Sequence, residues 1–467
     1  MTPHIELSLA KARKHFIAGR LDKADSLLRA VLTDMPDCTE ALEGLALVAT
    51  KKGAYPRALH ALERLIAIHP QLAEAHYGKG CVLGMMGRFD DELAAYQSAI
   101  ALQPNFAQAY VNMGVALRDL HRFDEALQQF ASAIDIDPNY AAARTNRAQT
   151  NLLLGHFSAG WSEYEWRWLD GGTPHGFDPQ KQWTGEQPIA GKTVLAHAEQ
   201  GMGDTLQFVR YVEQLAREGA RVVLRVQSAL LPLLREYPGT AQVIGENDAV
   251  PDFDWHCPLL SLPLAFKTDA TNIPAAIPYL SADPQQIAHW REIVGGATRR
   301  PRVGIAWAGL RTPSEHGNRS MRLAELAPLL ATNAHFVSLQ KDVPHVDRPL
   351  LRKLDSLLDV SHRLRTFADT AALISQLDLV ISVDTSVAHL AGGLGAPVWI
   401  ALLFTPDWRW QMKRTDSPWY PHARLFRQSV RGDWKDVIDR LTRGVEEWSE
   451  LGQVKSRTES RVVPIVS

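Results

Sequence analysis

The prolines Pro36, Pro70, Pro104 and Pro138 recur every 34 residues, and Gly19, Gly53 and Gly87 keep the same spacing, which continues through His121 and returns at Gly155. The segments between these marks align with one another, as in "GRFDDELAAYQSAIALQPN" and "HRFDEALQQFASAIDIDPN". Each is preceded by a stretch rich in small residues, such as "AEAHYGKGCVLGMMG". A glycine supplies the left-handed residue that ends one helix, and a proline follows the end of the second. A pair of helices this short cannot bury its own apolar face, so successive pairs must stack into a solenoid with a continuous core.

Period, small-residue positions and proline together resemble the tetratricopeptide repeat, with about four full units and a degenerate fifth over roughly residues 5–165. We place the solenoid at 5–168. Such a stack leaves a concave surface suited to a peptide or protein. The first-helix residues Tyr77, Asn112 and Asn146 are its candidate lining, with Arg144 and Arg147 nearby. Asn112 and Asn146 stand one repeat apart, where side-chain amides would hold a peptide backbone; simple solvation of the helix surface explains them as well. The array closes at "GHFSAGWSEYEWRWLDGG", where Trp161, Trp166 and Trp168 are expected to seal its end against the next domain.

After a linker over 169–190 the pattern changes to alternating strand and helix. "KTVLAHA", "GDTLQFVRYVEQLAREG" and "ARVVLRVQ" read as strand, helix and strand, the signature of a parallel crossover. A Pro-rich stretch near 275–300 separates this first α/β unit (191–285) from a second (300–430), in which "RVGIAW", "HFVSLQ", "DLVISV" and "APVWIALL" are strands. A helix over 431–450 is expected to cross back and brace the first α/β unit, and 453–467 reads as a loose polar tail. The fold class is therefore α plus α/β: a helical solenoid followed by two Rossmann-like units, with a cleft between them at the strand ends.

Lys and Arg number 50 against 52 Asp and Glu, so no global basic field points to nucleic acid. The three cysteines lie far apart without a C-x-x-C pair, which fits a reducing compartment and not a zinc site or disulfide framework. The N-terminus lacks a basic segment followed by an apolar core, so no signal peptide is expected. The longest apolar runs are about half of what a bilayer crossing needs. The expected setting is the cytoplasm, with no transmembrane segment.

Three stretches could carry chemistry. In "AEQGMGDTL", Leu206 stands where a dinucleotide fingerprint needs a third glycine, so that reading is weak. Gly203 gives a ligand access to the backbone, and Asp204, in the first turn after a strand, is either a helix cap or a general base facing the cleft. In "LVISVDTSVAHLAGGLGAPVW", Asp384 ends a strand, Thr385 or Ser386 caps the next helix, and His389 lies one turn along. That helix start is either an ordinary capped terminus or a phosphate site. In "AWAGLRTPSEHGNRSMRL", the arginines Arg311, Arg319 and Arg322 form either a solvated loop or a diphosphate clamp. Downstream, Trp408, Trp410, Trp419 and Tyr420 serve as core or as a stacking surface.

Residues 190–430 resemble the heptosyltransferase-like glycosyltransferases, on "GMGD" and "DTSVAHLAGGLGAP". The whole chain resembles bacterial tetratricopeptide proteins carrying such a transferase, some of which modify proteins, flagellin among them. The resemblance implies two Rossmann units in a GT-B arrangement and an inverting transfer that needs no metal and no cofactor beyond a nucleotide-sugar co-substrate. Asp204 would be the base; Gly203, Asp384, Thr385, Ser386 and His389 would hold the donor, with Arg319 steadying the leaving phosphates. No D-x-D metal motif lies in the cleft loops. Where the family commonly has glycine, this chain has Ser386. A protein acceptor held in the repeat groove is the expected partner; a lipid-linked saccharide acceptor and a non-catalytic repeat scaffold are the alternatives.

Overall fold

The structure is a computed structural model that describes residues 2–171, 176–274, 277–295, 300–309 and 319–459. It divides into two compact units, Met1–Thr150 with Glu163–Gly172, and Asn151–Ser162 with Thr173–Ser467.

The first unit is built from helix pairs: α1 (Pro3–Ile17) and α2 (Leu21–Asp34), α3 (Thr39–Lys51) and α4 (Tyr55–Ile68), α5 (Ala73–Met85) and α6 (Phe89–Leu102), α7 (Ala107–Asp119) and α8 (Phe123–Ile136). Helices α9 (Ala141–Leu154) and α10 (Phe157–Tyr164) follow. The turn inside each pair needs one left-handed residue. Gly19, Gly53 and Gly87 take φ of 70°, 72° and 72°, and His121 is forced into the same region at 61°. In the third and fourth pairs the helices touch where the first has no side chain. A Cβ on Gly80 would lie 2.5 Å from the Tyr96 ring, and one on Gly114 would lie 2.6 Å from the Phe130 ring, one repeat later. Each aromatic ring thus fills the notch left by a glycine across from it, and Phe130 is fully buried with Val111, Leu117 and Ile134.

In the second unit, four parallel strands, β1 (Thr193–His197), β2 (Arg221–Val226), β3 (Thr240–Gly245) and β4 (Trp255–Pro258), run in the order β3-β2-β1-β4. Ala196 in the central strand sits in register between Leu224 and Cys257. Six more parallel strands, β5 (Arg302–Ala306), β6 (His335–Ser338), β7 (Leu357–Leu358), β8 (Leu379–Val383), β9 (Val398–Leu402) and β10 (Ala423–Arg427), run β10-β9-β8-β5-β6-β7. Strands buried on both faces read as continuous apolar runs, and β8 and β9 are buried throughout.

Three details depart from expectation. The helix after β1 is α11 (Met202–Phe208), which breaks into a 3-10 turn at Val209–Tyr211 before helix resumes at Val212–Arg217. The C-terminal helix, Lys435–Glu459, contributes Val437, Ile438, Leu441 and Val445 to the core of the six-stranded sheet, where it had been expected to brace the first α/β unit. It also takes in residues 453–459 of the expected tail; 460–467 lie outside the described residues. Within the expected linker, Trp183 is buried and its backbone N–H donates to the His256 carbonyl at 2.8 Å. Among the described residues no helix is long and apolar enough to cross a membrane.

Replacing Phe130 with alanine empties a fully buried notch and is expected to cost about 3–5 kcal/mol, read as lost amide-exchange protection in α7 and α8 of the full chain. Gly53→Ala meets nothing within 4 Å, so its cost is backbone strain alone, about 1–2 kcal/mol. His121→Gly should move stability the other way.

Candidate functional site

Helix α11 starts directly after β1, and its third residue is Asp204. The Gly201 N–H donates to Asp204 Oδ2 at 2.8 Å, so the carboxylate caps its own helix. Its other oxygen, Oδ1, accepts from Nη2 of Arg409, which follows β9 in the other lobe. Arg409 also donates from Nη1 to Asp407 Oδ1 and from Nε to Gln207 Oε1, both at 2.8 Å, and its guanidinium lies 4.1 Å above the Trp408 ring. The guanidinium is buried, whereas the Asp204 side chain keeps 17% of its exposure. Burial pushes the Asp204 carboxyl up, Arg409 pulls against that, and Asp407 adds to it.

In the second lobe, β8 ends at Val383 and Asp384 follows. Thr385 caps the helix Ser386–Gly393, its Oγ1 accepting the Val387 N–H at 3.2 Å. Burial, with repulsion from Asp407 behind it, pushes the Asp384 carboxyl up to about 7, although Arg319 and Arg409 draw it down. Arg319 lies beside Thr385 at this helix start: a Cβ on Gly309 would meet Arg319 Nε at 2.9 Å and the Thr385 methyl at 3.4 Å. Arg311 and Gly317 lie outside the described residues, and Arg322 is exposed.

His389 is buried, and its Nδ1 shares a 2.8 Å hydrogen bond with the Tyr420 hydroxyl. Its ring stacks on Trp410 with centroids 5.2 Å apart. Burial first, then Arg409, Arg210 and Arg319, hold it far below the ordinary histidine range, so it is neutral at pH 7. A Cβ on Gly203 would lie 3.0 Å from His389 Cδ2 and 3.5 Å from Ser386 Cα. The glycine read as an access point for ligand is thus where α11 comes against the Ser386–Gly393 helix, bringing Asp204 to the same side as Thr385 and Ser386.

Sequence reasoning missed Arg409, Asp407, Gln207 and Arg210. Arg210 is buried, donating from Nη1 to the Trp419 carbonyl and from Nη2 to the Tyr279 hydroxyl, both at 2.9 Å. The available signal was a charged residue inside an aromatic run, "DWRW", which was read only for its tryptophans. Those aromatics pack as core: Trp408, Trp410, Trp419 and Tyr420 are all buried. Trp161 joins them, edge-on to Trp408 at 5.2 Å, its Nε1 donating to the Thr268 carbonyl at 3.0 Å. Trp166 lies under the Arg144 guanidinium in the first unit, 4.5 Å away.

In the array, Asn112 Nδ2 donates to the Tyr77 hydroxyl at 3.1 Å and to Cys81 Sγ at 3.5 Å. Asn146 Oδ1 accepts from Arg118 at 3.2 Å, and its Nδ2 donates to the Ala142 carbonyl at 2.9 Å. Both amides are half-buried and already tie neighbouring parts of the array together.

Residues 15–80 and 77–141 match two models described as tetratricopeptide repeat. The array is made of tetratricopeptide repeats. Protein FlbA of Caulobacter vibrioides is 26% identical over 337 residues, covering 65% of this chain and 54% of its own length. The chain thus spans about half the length of the curated relative it matches. That alignment is longer than the repeat array and so reaches into the α/β region. Among solved structures, MamA from Desulfovibrio magneticus is 19% identical (TM-score 0.32), over 36% of this chain and 93% of its own. A thermophilic TPR protein of Thermus thermophilus is 20% identical (TM-score 0.32), over 36% of this chain and 91% of its own.

The depressed His389 predicts a pH dependence with a definite sign. Unfolded, it takes up a proton below its ordinary value of 6.5, while the folded form resists. Its contribution is therefore complete above 6.5 and is lost as pH falls below that. His389→Gln should flatten the fall in Tm between pH 7.5 and pH 5, measured on the full chain beside the unsubstituted protein.

Proposed function

We propose that the second unit is an inverting, metal-independent glycosyltransferase in a GT-B arrangement. It would move a sugar from a nucleotide-sugar to a hydroxyl of a protein acceptor, flagellin-like, recruited by the repeats around Tyr77, Asn112 and Asn146. One observation carries the reading: a carboxylate that a ligand can reach, at a strand end of one lobe, faces a capped helix start and an arginine at strand ends of the other. Crevices at the carboxyl ends of parallel strands are where such sheets take ligands.

The donor diphosphate would lie on the first-turn N–H groups after Thr385, beside Ser386 and Arg319. Asp204 removes the proton from the acceptor hydroxyl, whose oxygen attacks the anomeric carbon from the face opposite the phosphate. The bond from that carbon to the phosphate oxygen breaks and its electron pair leaves with the nucleotide diphosphate, so the configuration inverts. Helix start and Arg319 meet the charge that develops on the leaving oxygens. His389, neutral and braced by Tyr420 and Trp410, keeps the helix start in place behind them. A non-catalytic scaffold is the second reading, favoured by the structural use Asp204 already has as cap and ion-pair partner.

A thermal-shift screen of the full chain against UDP, GDP, ADP, CMP and their sugar conjugates tests the proposal. One nucleotude class should raise Tm by several degrees, and Arg319→Ala should abolish the shift. Asp204→Asn should still bind it and fail to transfer. Silence with every nucleotide would leave the scaffold reading standing. With Asp384 titrating near 7, its protonation removes negative charge beside the phosphates. Nucleotide affinity should therefore tighten as pH falls from 8 to 6, and Asp384→Asn should remove that dependence.

A further inference from the structure

We propose that Arg409 is the positioning residue of the base: its buried guanidinium fixes the Asp204 carboxylate at the cleft. This rests on the reading of Asp204 as the base. The geometry is specific. Arg409 reaches Asp204 with Nη2, Asp407 with Nη1 and Gln207 with Nε, so its planar fork is held on three sides while Trp408 supports its face. With Oδ2 occupied by the Gly201 N–H, Asp204 is gripped at both oxygens, and its rotamer is set from its own helix and from the opposite lobe. The remaining lone pairs stay available to an incoming hydroxyl.

The charges around Asp204 explain why a partner is needed. Asp407 and Arg409 face it from the loop after β9 and Arg319 from the loop after β5, while Asp384 and the neutral His389 lie on the segment after β8. Burial and Asp407 both favour a protonated Asp204, and a protonated carboxyl accepts no proton from a substrate. Arg409 is the nearest opposing charge. Lysine would supply the charge without the fork, so it would restore titration better than placement.

The test is a double-mutant cycle on the full chain, reading Tm at pH 5 and pH 8. In the wild-type background Asp204→Asn should lower Tm at pH 8 by about 4 °C, because it breaks a compensated pair. In the R409Q background the same change should leave Tm unchanged or raise it, because it removes a half-buried carboxylate that has lost its counter-charge. The difference between backgrounds should shrink at pH 5. An equal effect of Asp204→Asn in both backgrounds, or one independent of pH, overturns the proposal; R409K serves as the second background if R409Q does not fold. With a donor found by the nucleotide screen, the acid limb of the transfer rate should move to higher pH in R409Q by about one pH unit and part of the way back in R409K. An unmoved limb beside intact coupling would make the pair structural only. Full transfer by Asp204→Asn would instead sink the base reading and leave the coupling result standing, and silence with every nucleotide would remove the base reading and overturn this proposal with it, whatever the Tm cycle shows.

Discussion

A guanidinium removed from water must be met by acceptors in its own plane, because an uncompensated buried charge is among the most costly features a fold can contain. Arg409 meets that condition only with help from two lobes: Asp407 from its own loop, Asp204 and Gln207 from α11. Arg210 does the reverse, reaching from the segment after α11 to the Trp419 carbonyl and the Tyr279 hydroxyl. Between them the two arginines make hydrogen bonds in both directions, Arg409 to Asp204 and Arg210 to the Trp419 carbonyl. Gly203, one residue before Asp204, lies against His389 and Ser386.

The repeats obey a different economy. Their stability is local, two of the pairs seating an aromatic ring against a glycine of the partner helix, Tyr96 over Gly80 and Phe130 over Gly114. No single polar contact organises them. The amides of Asn112 and Asn146 are absorbed into that local bonding, so any partner reading those positions must exchange for contacts already made.

How much of this was legible follows from the range over which each feature is encoded. A 34-residue period is written many times over, so the array could be read almost helix by helix, down to the left-handed turn that His121 occupies without being glycine. The long apolar strands β1, β2, β5, β6, β8 and β9 were equally plain. Strand β3 was not, because only two of its six residues are buried, and β7 is only two residues long. Strand β10 carries two arginines, which mask its apolar face. Among the candidate residues, Asp204 and Thr385 could be singled out because each stands at the start of the helix that follows a strand, β1 and β8. Arg409 was not, since its partner Asp204 lies 205 positions away and a lone charge among tryptophans gives no local sign of burial.

Trp161 sits within the last recognisable repeat of the sequence, yet its ring belongs to the aromatic core of the second unit, 2% exposed beside Trp408, Phe208 and Trp419. The seam between the modules of this chain is therefore not where its sequence changes character. A recombination that exchanged one repeat array for another at the visible boundary would carry Trp161 away and leave a void the size of an indole behind the Arg409 platform, costing about 3–5 kcal/mol.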